Sequence, residues 1–214
     1  MKKLIILAVL ALPAVLAVTQ VSASTIYWTS WSGNTSGSLT TPQGTISLGY
    51  SGELSGLAAN YPSWNPSASY ADGSIVGNAP PQFGNMVQLV GGGSTIDTVT
   101  FSTPVVDPVF AIWSLGQSGD PTTFVFNAAP TLVTGGPSAE YGGGSIGVSG
   151  NTVSGSEGNG TVMFLGTYSS ISWNNPLFEN YYGFTVGVAA VPEPATVTLL
   201  TLGGLACLVR RKKR

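Results

Sequence analysis

Short stretches in which apolar and polar residues alternate recur through residues 24–190, and a period of two is typical of half-buried β-strands. The clearest is YYGFTVGV at 181–188, where every second side chain from Tyr182 to Val188 is large and apolar. VFAIWSLG at 109–116 and GTVMFLG at 160–166 are apolar on both faces, as strands in the middle of a covered sheet are. Further strands are predicted at 25–31 (TIYWTSW), 45–50 (TISLGY), 86–90 (MVQLV), 95–101 (TIDTVTF), 123–127 (TFVFN), 145–149 (SIGVS) and 169–173 (SSISW).

Turn-forming residues separate these strands at fairly regular intervals, which is typical of an antiparallel sandwich. The chain has 29 Gly and 14 Pro among 214 residues, and these disfavour long helices because Gly costs about 1 kcal/mol and Pro about 3 kcal/mol inside a helix. Residues 51–85 are the least regular and read as a long loop or lid with one short turn. Residues 24–190 are therefore predicted to form an all-β, antiparallel β-sandwich with a jelly-roll-like arrangement.

The N-terminus has the layout of a secretory signal peptide over residues 1–23. Lys2 and Lys3 precede an apolar stretch at 4–18, and the small residues Val-Ser-Ala follow at 21–23. This layout predicts a signal helix and cleavage by signal peptidase between Ala23 and Ser24.

The C-terminus, VPEPATVTLLTLGGLACLVRRKKR at 191–214, has the mirrored layout. Its apolar run at 196–209 would span about 21 Å as a helix at ~1.5 Å per residue, against roughly 30 Å for a bilayer core. It therefore predicts a short transmembrane helix that anchors the protein transiently. The run is followed by a block of basic residues, which we call the basic stop. By the positive-inside rule this block is expected to stay cytoplasmic, with residues 24–190 on the other side of the membrane. That stop consists of Arg210, Arg211, Lys212, Lys213 and Arg214.

Together, Pro192-Glu193-Pro194, the apolar run and the terminal basic block resemble the PEP-CTERM sorting signal of proteins exported by Gram-negative bacteria. The resemblance implies recognition by an exosortase, a membrane-embedded protease or transpeptidase, and loss of the tail. It implies a location at the cell surface or in an exopolysaccharide matrix, and it assigns no activity to residues 24–190. The alternative is a plain C-terminal anchor with a proline spacer.

The charge distribution excludes several classes of function. Every Lys and Arg lies at positions 2–3 or 210–214, the chain has no His, and nine acidic residues stand in between. Nucleic-acid binding needs Lys and Arg against phosphates, so no nucleic acid is expected as a partner. The only cysteine, Cys207, lies in the tail, which excludes intrachain disulfides. We expect no catalytic residue, metal or cofactor.

Aromatic residues suggest a second interpretation, in which exposed rings stack on sugars while nearby amides and carboxylates bind hydroxyls. Trp64 lies between Pro62 and Pro66 and is expected to be the most exposed ring. The alternative is that the rings fill the core. The candidate carbohydrate-binding residues are Trp64, Trp173, Asn174, Glu179 and Tyr181.

Two further chemistries stay open beside a structural or carbohydrate-binding role. A glycoside hydrolase acting on exopolysaccharide needs only two carboxylates, and Glu140, Glu157 and Glu179 are the candidates. A calcium ion takes oxygen ligands, which Asp120, Glu157 and Asn159 offer in Gly-rich loops. The simpler interpretation of all these residues is that they are solvated loop side chains. The sequence therefore favours a non-enzymatic exported protein.

Overall fold

The computed structural model describes residues 23–190, which form sixteen β-strands and one 3-10 turn at Ser67–Ser69. No helix in this part of the chain is long and apolar enough to cross a membrane. The strands are β1 (Ile26–Trp28), β2 (Ser30–Trp31), β3 (Ser36–Thr41), β4 (Gly44–Ser51), β5 (Gly56–Ala58), β6 (Met86–Val90), β7 (Asp97–Val106), β8 (Val109–Leu115), β9 (Thr122–Phe126), β10 (Thr131–Gly135), β11 (Gly144–Ser145), β12 (Gly147–Ser149), β13 (Thr152–Gly155), β14 (Gly158–Met163), β15 (Thr167–Asn174) and β16 (Asn180–Ala189).

The strands form two eight-stranded sheets. The first has the order β10-β14-β8-β16-β6-β5, with β1 paired to β16 and β11 paired to β14. The second has the order β12-β13-β9-β15-β7-β4-β3-β2. Neighbouring strands are antiparallel except β11 and β14, which run parallel. The predicted all-β, antiparallel fold is confirmed.

Aromatic side chains from both sheets meet in one core between them. The ring of Phe110, on β8 of the first sheet, lies 5.6 Å from that of Trp173 and 5.8 Å from that of Phe126, both on the second sheet. It also stacks on Phe184 of the neighbouring β16 at 5.7 Å. Each ring is buried, so the alternating apolar positions of the sequence supply the facing layers of a sandwich.

The outer face of the first sheet is covered too, by the long segment between β5 and β6. Trp64 and Tyr70 of this segment pack with Ala111 and Trp113 of β8 in a second buried cluster. All seven residues of β8 are therefore buried, as its continuous apolar sequence predicted. The predicted long loop with one short turn at 51–85 is confirmed in outline, but it also contains strand β5.

Strands β3, β5, β10 and β13 were not predicted from the sequence. Strand β3 reads SGSLTT and consists mainly of small polar residues, so its apolar signal is weak. It exists because six of its residues pair with β4 in a hairpin. Such a strand is stabilised by backbone pairing with its neighbour, and the alternation of its own side chains does not report that pairing.

The two predicted terminal helices lie outside the described residues, as do the sorting motif and the basic stop. The predicted cleavage point lies at the edge of the described part. Ser24 forms an isolated parallel bridge with Val76, and its backbone nitrogen donates to the Ile75 carbonyl at 3.1 Å. Backbone pairing within the sandwich thus begins at the residue predicted to become the N-terminus.

Candidate functional site

Two adjoining cavities of about 220 Å³ and about 460 Å³ open at one end of the first sheet, and both are lined by Tyr141 and Tyr181. We call them together the tyrosine cleft. Its smaller part also includes Tyr61, Ser63, Gln88, Trp113 and Glu140, and its larger part includes Ser114, Gln117, Ser118, Glu157 and Glu179.

Three tyrosines form the exposed aromatic wall of the tyrosine cleft. Tyr61, Tyr141 and Tyr181 are 57%, 48% and 60% exposed, which is high for rings of this size. The rings of Tyr141 and Tyr181 lie 6.1 Å apart, and Tyr141 packs edge-on at 5.4 Å against the buried Trp113. The wall is therefore apolar, open to solvent and supported from beneath.

Strained backbone is concentrated around this cleft. Five non-glycine residues have positive φ, and four of them line it or adjoin it: Asn60 (65°), Ser114 (55°), Glu157 (55°) and Tyr181 (136°). Two sheet irregularities lie here as well, one in β14 between Gly158 and Gly160 and one in β16 between Asn180 and Tyr182. Bulges re-aim side chains, and such strain persists mainly where a site requires it. The backbone thus sets the direction of the cleft residues.

Carboxylates form the polar side of the larger cavity. Glu179 is only 3% exposed, and its Oε2 accepts a hydrogen bond from the Gly116 nitrogen at 2.7 Å. Glu157 accepts a hydrogen bond from the Ser114 hydroxyl at 3.0 Å. Burial raises the pKa of Glu179 to about 7, opposed by the Gly116 hydrogen bond and assisted by the negative charges of Glu157 and Asp120. Glu179 is therefore an acid that exchanges its proton near neutral pH.

We expect Glu179 to make the protein less stable as the pH rises from about 4.5 to about 7. A carboxyl whose pKa is raised by folding favours the folded state below its unfolded-state pKa, and this contribution disappears as the pH rises through the folded-state value. For Glu179 the loss is about 2 to 3 kcal/mol. Urea unfolding of wild type and Glu179→Gln at about pH 4.5 and about pH 8, in EDTA, measures it.

The expected result is that Glu179→Gln loses less stability between the two pH values than the wild type does. Gln117→Ala is the control, because Gln117 lines the same cavity and carries no titratable group. Equal pH dependence in the wild type and Glu179→Gln would contradict the raised pKa.

The structure separates the five candidate carbohydrate-binding residues. Glu179 and Tyr181 line the tyrosine cleft. Asn174 is half-buried at the end of β15. Trp173 is 1% exposed and belongs to the core, where its ring packs against Phe110 and Phe184.

The expectation that Trp64 is exposed is wrong. Its side chain is 1% exposed, its indole nitrogen donates to the Gly84 carbonyl at 2.9 Å, and its ring packs edge-on against Tyr70. The flanking prolines suggested an exposed loop, but this loop folds back over the outer face of the first sheet.

The acids considered for hydrolysis or calcium binding are placed differently from one another. Glu157 and Glu179 line the larger cavity and Glu140 the smaller one, where Glu140 accepts a hydrogen bond from the Ser63 hydroxyl at 2.7 Å. Asn159 is buried, and its Oδ1 already accepts hydrogen bonds from the Ser114 nitrogen and the Tyr70 hydroxyl. The side-chain oxygen of Asn159 is therefore already engaged in hydrogen bonds within the protein. This argues against the calcium site suggested for Asp120, Glu157 and Asn159.

Several cleft residues were missed by the sequence analysis, among them Tyr141, Ser114 and Gln117. Tyr61 and Tyr141 come from loops that are far apart in sequence. A hydrogen bond joins those loops, in which the Ala139 nitrogen donates to the Asn65 carbonyl at 2.7 Å. The Gly-rich surroundings of Tyr141 were the available signal, because an aromatic ring in a turn has little to pack against locally.

Comparison with known proteins identifies the tail and finds no match for the sandwich. No curated protein and no solved structure matches the chain. Residues 190–214 match the PEP-CTERM protein-sorting motif, so the match covers the C-terminal segment alone. The resemblance drawn from Pro192-Glu193-Pro194 is confirmed, and the chain carries the C-terminal exosortase sorting signal of PEP-CTERM exported proteins.

Proposed function

We propose that the protein is a non-enzymatic component of the cell surface or extracellular matrix whose tyrosine cleft binds polysaccharide. The sorting signal directs an exosortase-processed, exported protein, so the folded part meets the extracellular polymers of its host. In this proposal the short apolar tail anchors the protein in the inner membrane only until processing. Signal peptidase and the exosortase are then its processing partners, and exopolysaccharide is its ligand.

The observation that carries the proposal is the exposed pair of Tyr141 and Tyr181 beside a row of carboxylate and amide groups. Aromatic faces bind the apolar faces of sugar rings, and a few placed polar groups fix the hydroxyls. Residues 23–190 contain no basic side chain, so a strongly anionic polymer would be repelled. A neutral polysaccharide is the ligand class that fits best.

Tyr181→Ala is expected to weaken binding to the host's exopolysaccharide about tenfold, since removing a central aromatic contact in an interface costs more than about 1 kcal/mol. Affinity electrophoresis in gels containing that polymer measures the retardation. Phe83→Ala is the control, because Phe83 is 57% exposed and does not line the tyrosine cleft. Equal mobility of the wild type with and without polymer would overturn the proposal.

A carboxylate-dependent glycoside hydrolase is the second candidate. The observation that favours it is the pairing of Glu179, whose pKa is raised to about 7, with Glu157 in the same open cavity. A general acid with a raised pKa beside an ionised carboxylate is the arrangement that glycoside hydrolysis uses. Release of reducing ends from the polymer by the wild type and not by Glu179→Gln would favour this candidate over simple binding.

We also infer that the sandwich is of jelly-roll type. In the first sheet β6, β16, β8 and β14 are neighbours, and in the second β7, β15, β9 and β13. Along the chain each of these strands is followed by one in the other sheet, from β6 through β9 and again from β13 through β16. Only β9 and β13 follow each other within the same sheet. This alternation supports a jelly roll, an architecture shared by many carbohydrate-binding proteins.

A further inference from the structure

Two acidic side chains are buried together at one end of the sandwich, outside the tyrosine cleft. Asp97, the first residue of β7, is fully buried. The Glu53 nitrogen donates to Asp97 Oδ1 at 2.8 Å, and the Tyr50 hydroxyl donates to the same oxygen. The Glu53 side chain is half-buried, but its Oε2 is shielded from solvent and has no hydrogen-bond partner within the described residues.

Within residues 23–190 no basic side chain neutralises these acids, because Lys, Arg and His are absent from residues 4–209. Burial, opposed by the Tyr50 hydrogen bond, raises the pKa of Asp97 to about 6. A buried carboxylate without a positive partner lowers the stability of the folded state. A cation bound beside the two acids would remove this cost.

Unpartnered polar atoms surround the same two acids. Among residues 23–190, four buried side-chain nitrogen or oxygen atoms lack a hydrogen-bond partner: Glu53 Oε2, Asn175 Oδ1, the Tyr182 hydroxyl and Trp173 Nε1. The Asn175 amide is oriented by its nitrogen, which donates to Asp97 Oδ2 at 2.8 Å, and Trp173 is the cross-strand partner of Asp97. Native proteins pair nearly all buried polar atoms, so the three unpartnered oxygen atoms indicate an additional ligand, whereas the indole N–H of Trp173 is only a donor and cannot bind a cation.

A glycine loop at 91–93 packs closely against these atoms. A Cβ on Gly91 would lie 2.6 Å from the Tyr182 hydroxyl, 2.5 Å from the Leu177 carbonyl oxygen and 3.1 Å from the Asn175 Cβ. A Cβ on Gly93 would lie 2.3 Å from Glu53 Oε1. A side chain at position 91 would therefore overlap the Leu177 backbone, and one at position 93 would displace the Glu53 carboxylate, so glycine lets the loop approach these oxygen atoms.

We propose that Glu53, Asp97 and Asn175 bind a hard divalent cation, best matched by Ca²⁺, with the Leu177 carbonyl as a further oxygen ligand. Carboxylate, amide and carbonyl oxygens are the ligands that Ca²⁺ takes, and it tolerates the irregular geometry of loop ligands better than Mg²⁺ does. Only two carboxylates contribute, in agreement with the absence of any cluster of three or more His, Cys, Asp or Glu in the described residues. Two carboxylates suit the weak affinity of extracellular calcium modules, with Kd of about 0.1 to 1 mM.

The cation would join three segments that are distant in sequence. Glu53 follows β4, Asp97 begins β7, and Asn175 begins the loop that leads through Glu179 to Tyr181. This loop is already fixed to the glycine loop, since the Gly92 nitrogen donates to the Asn175 carbonyl at 2.9 Å and the Gly91 nitrogen donates to the Glu179 carbonyl at 2.8 Å. The site would therefore order the loop that carries part of the tyrosine cleft, although its existence does not depend on sugar binding there.

Calorimetry of the purified protein, stripped with EDTA and titrated with CaCl₂, tests the proposal. We expect Tm to rise by about 5 to 10 °C when Ca²⁺ exceeds its Kd by about a hundredfold. The rise should be absent in Asp97→Asn and in Glu53→Gln. Glu53→Gln in EDTA should be at least as stable as the wild type, because it removes an uncompensated charge and keeps the shape of the side chain. Asp97→Asn should be less stable than the wild type in EDTA, because both Asp97 oxygens accept hydrogen bonds and the amide nitrogen of Asn cannot.

Terbium luminescence provides a readout independent of stability. Tb³⁺ occupies Ca²⁺ sites and is excited through nearby aromatic rings, which Trp173 and Tyr182 supply. We expect sensitised emission in the wild type that CaCl₂ abolishes, and none in Glu53→Gln. Asp120→Asn is the matched control, an exposed acid of the other loop considered for calcium, and it should keep both signals.

Three results would overturn the proposal. One is a wild-type Tm unchanged by CaCl₂, and another is a Ca²⁺ response that persists in Glu53→Gln. The third is loss of both signals in Asp120→Asn with retention in Glu53→Gln, which would place the cation in the Asp120 loop.

Discussion

Replacing Glu193 by alanine is expected to leave nearly all of the exported protein with its C-terminal tail, whereas the wild type loses it. Proline disfavours a helical conformation both at its own position and at the residue before it, so we expect a motif with two prolines to be recognised in an extended form. Glu193 is also the only charged residue between Glu179 and Arg210. Its carboxylate is therefore the one charged group near the motif that an exosortase could recognise. Intact-mass measurement of the protein recovered from a host that has an exosortase compares the two forms.

The same spectra report both ends of the chain. A mature wild-type protein is expected to begin at Ser24 and to lack the basic block at 210–214. Thr196→Ala is the control, because it changes the tail two residues beyond the motif and leaves Pro192-Glu193-Pro194 intact. If both the wild type and Glu193→Ala retain the basic block, the tail is a permanent anchor and release into the matrix is ruled out.

Replacing Phe110 by alanine is expected to lower the free energy of unfolding by about 3 to 5 kcal/mol. The ring is fully buried and packs against Phe126, Phe164, Trp173 and Phe184, so its removal leaves a cavity between the two sheets. Three of the surrounding rings lie on β9, β15 and β16 and the fourth, Phe164, directly follows β14, and these paired backbones restrict collapse into that cavity. Urea unfolding measures the loss, which corresponds to a fall in Tm of about 10 °C for a domain of this size.

Ile96→Ala is the matched control for Phe110→Ala. Ile96 lies just before β7 and is 58% exposed, so its truncation should change stability by less than about 0.5 kcal/mol. Similar losses in the two variants would contradict the central position of Phe110 in the core.

The success of the strand predictions follows from how the sandwich buries its strands. Strand β8 is apolar at every position except Ser114, because one face meets the core and the other meets Trp64 and Tyr70, and the sequence reports both faces. Strand β16 alternates only in part, since Tyr182, Phe184 and Val186 face the core while small residues such as Gly183 and Gly187 lie between them. Strands β3 and β13 carry few apolar side chains, and only their pairing to β4 and β9 establishes them.

The candidate sites were harder to predict because each depends on residues from distant segments. Tyr181 was identified beside Glu179, but its companions Tyr61 and Tyr141 come from other loops. Trp64 shows the opposite error, since a polar and proline-rich neighbourhood does not reveal that the segment covers a sheet. The buried group of Glu53, Asp97 and Asn175 has no motif at all, because its members are separated by 44 and 78 residues.

The sequence by itself determined what is encoded locally: the sorting signal of the tail, the layout of the N-terminus, the all-β class and the absence of basic residues from residues 4–209. Each of these is a property of adjacent residues or of composition. Only the tertiary structure decided which aromatic rings are exposed, which acids meet and which polar atoms are left without partners. Those properties arise when two sheets close on each other, and burial and charge proximity are set by contacts between strands that the chain order keeps apart.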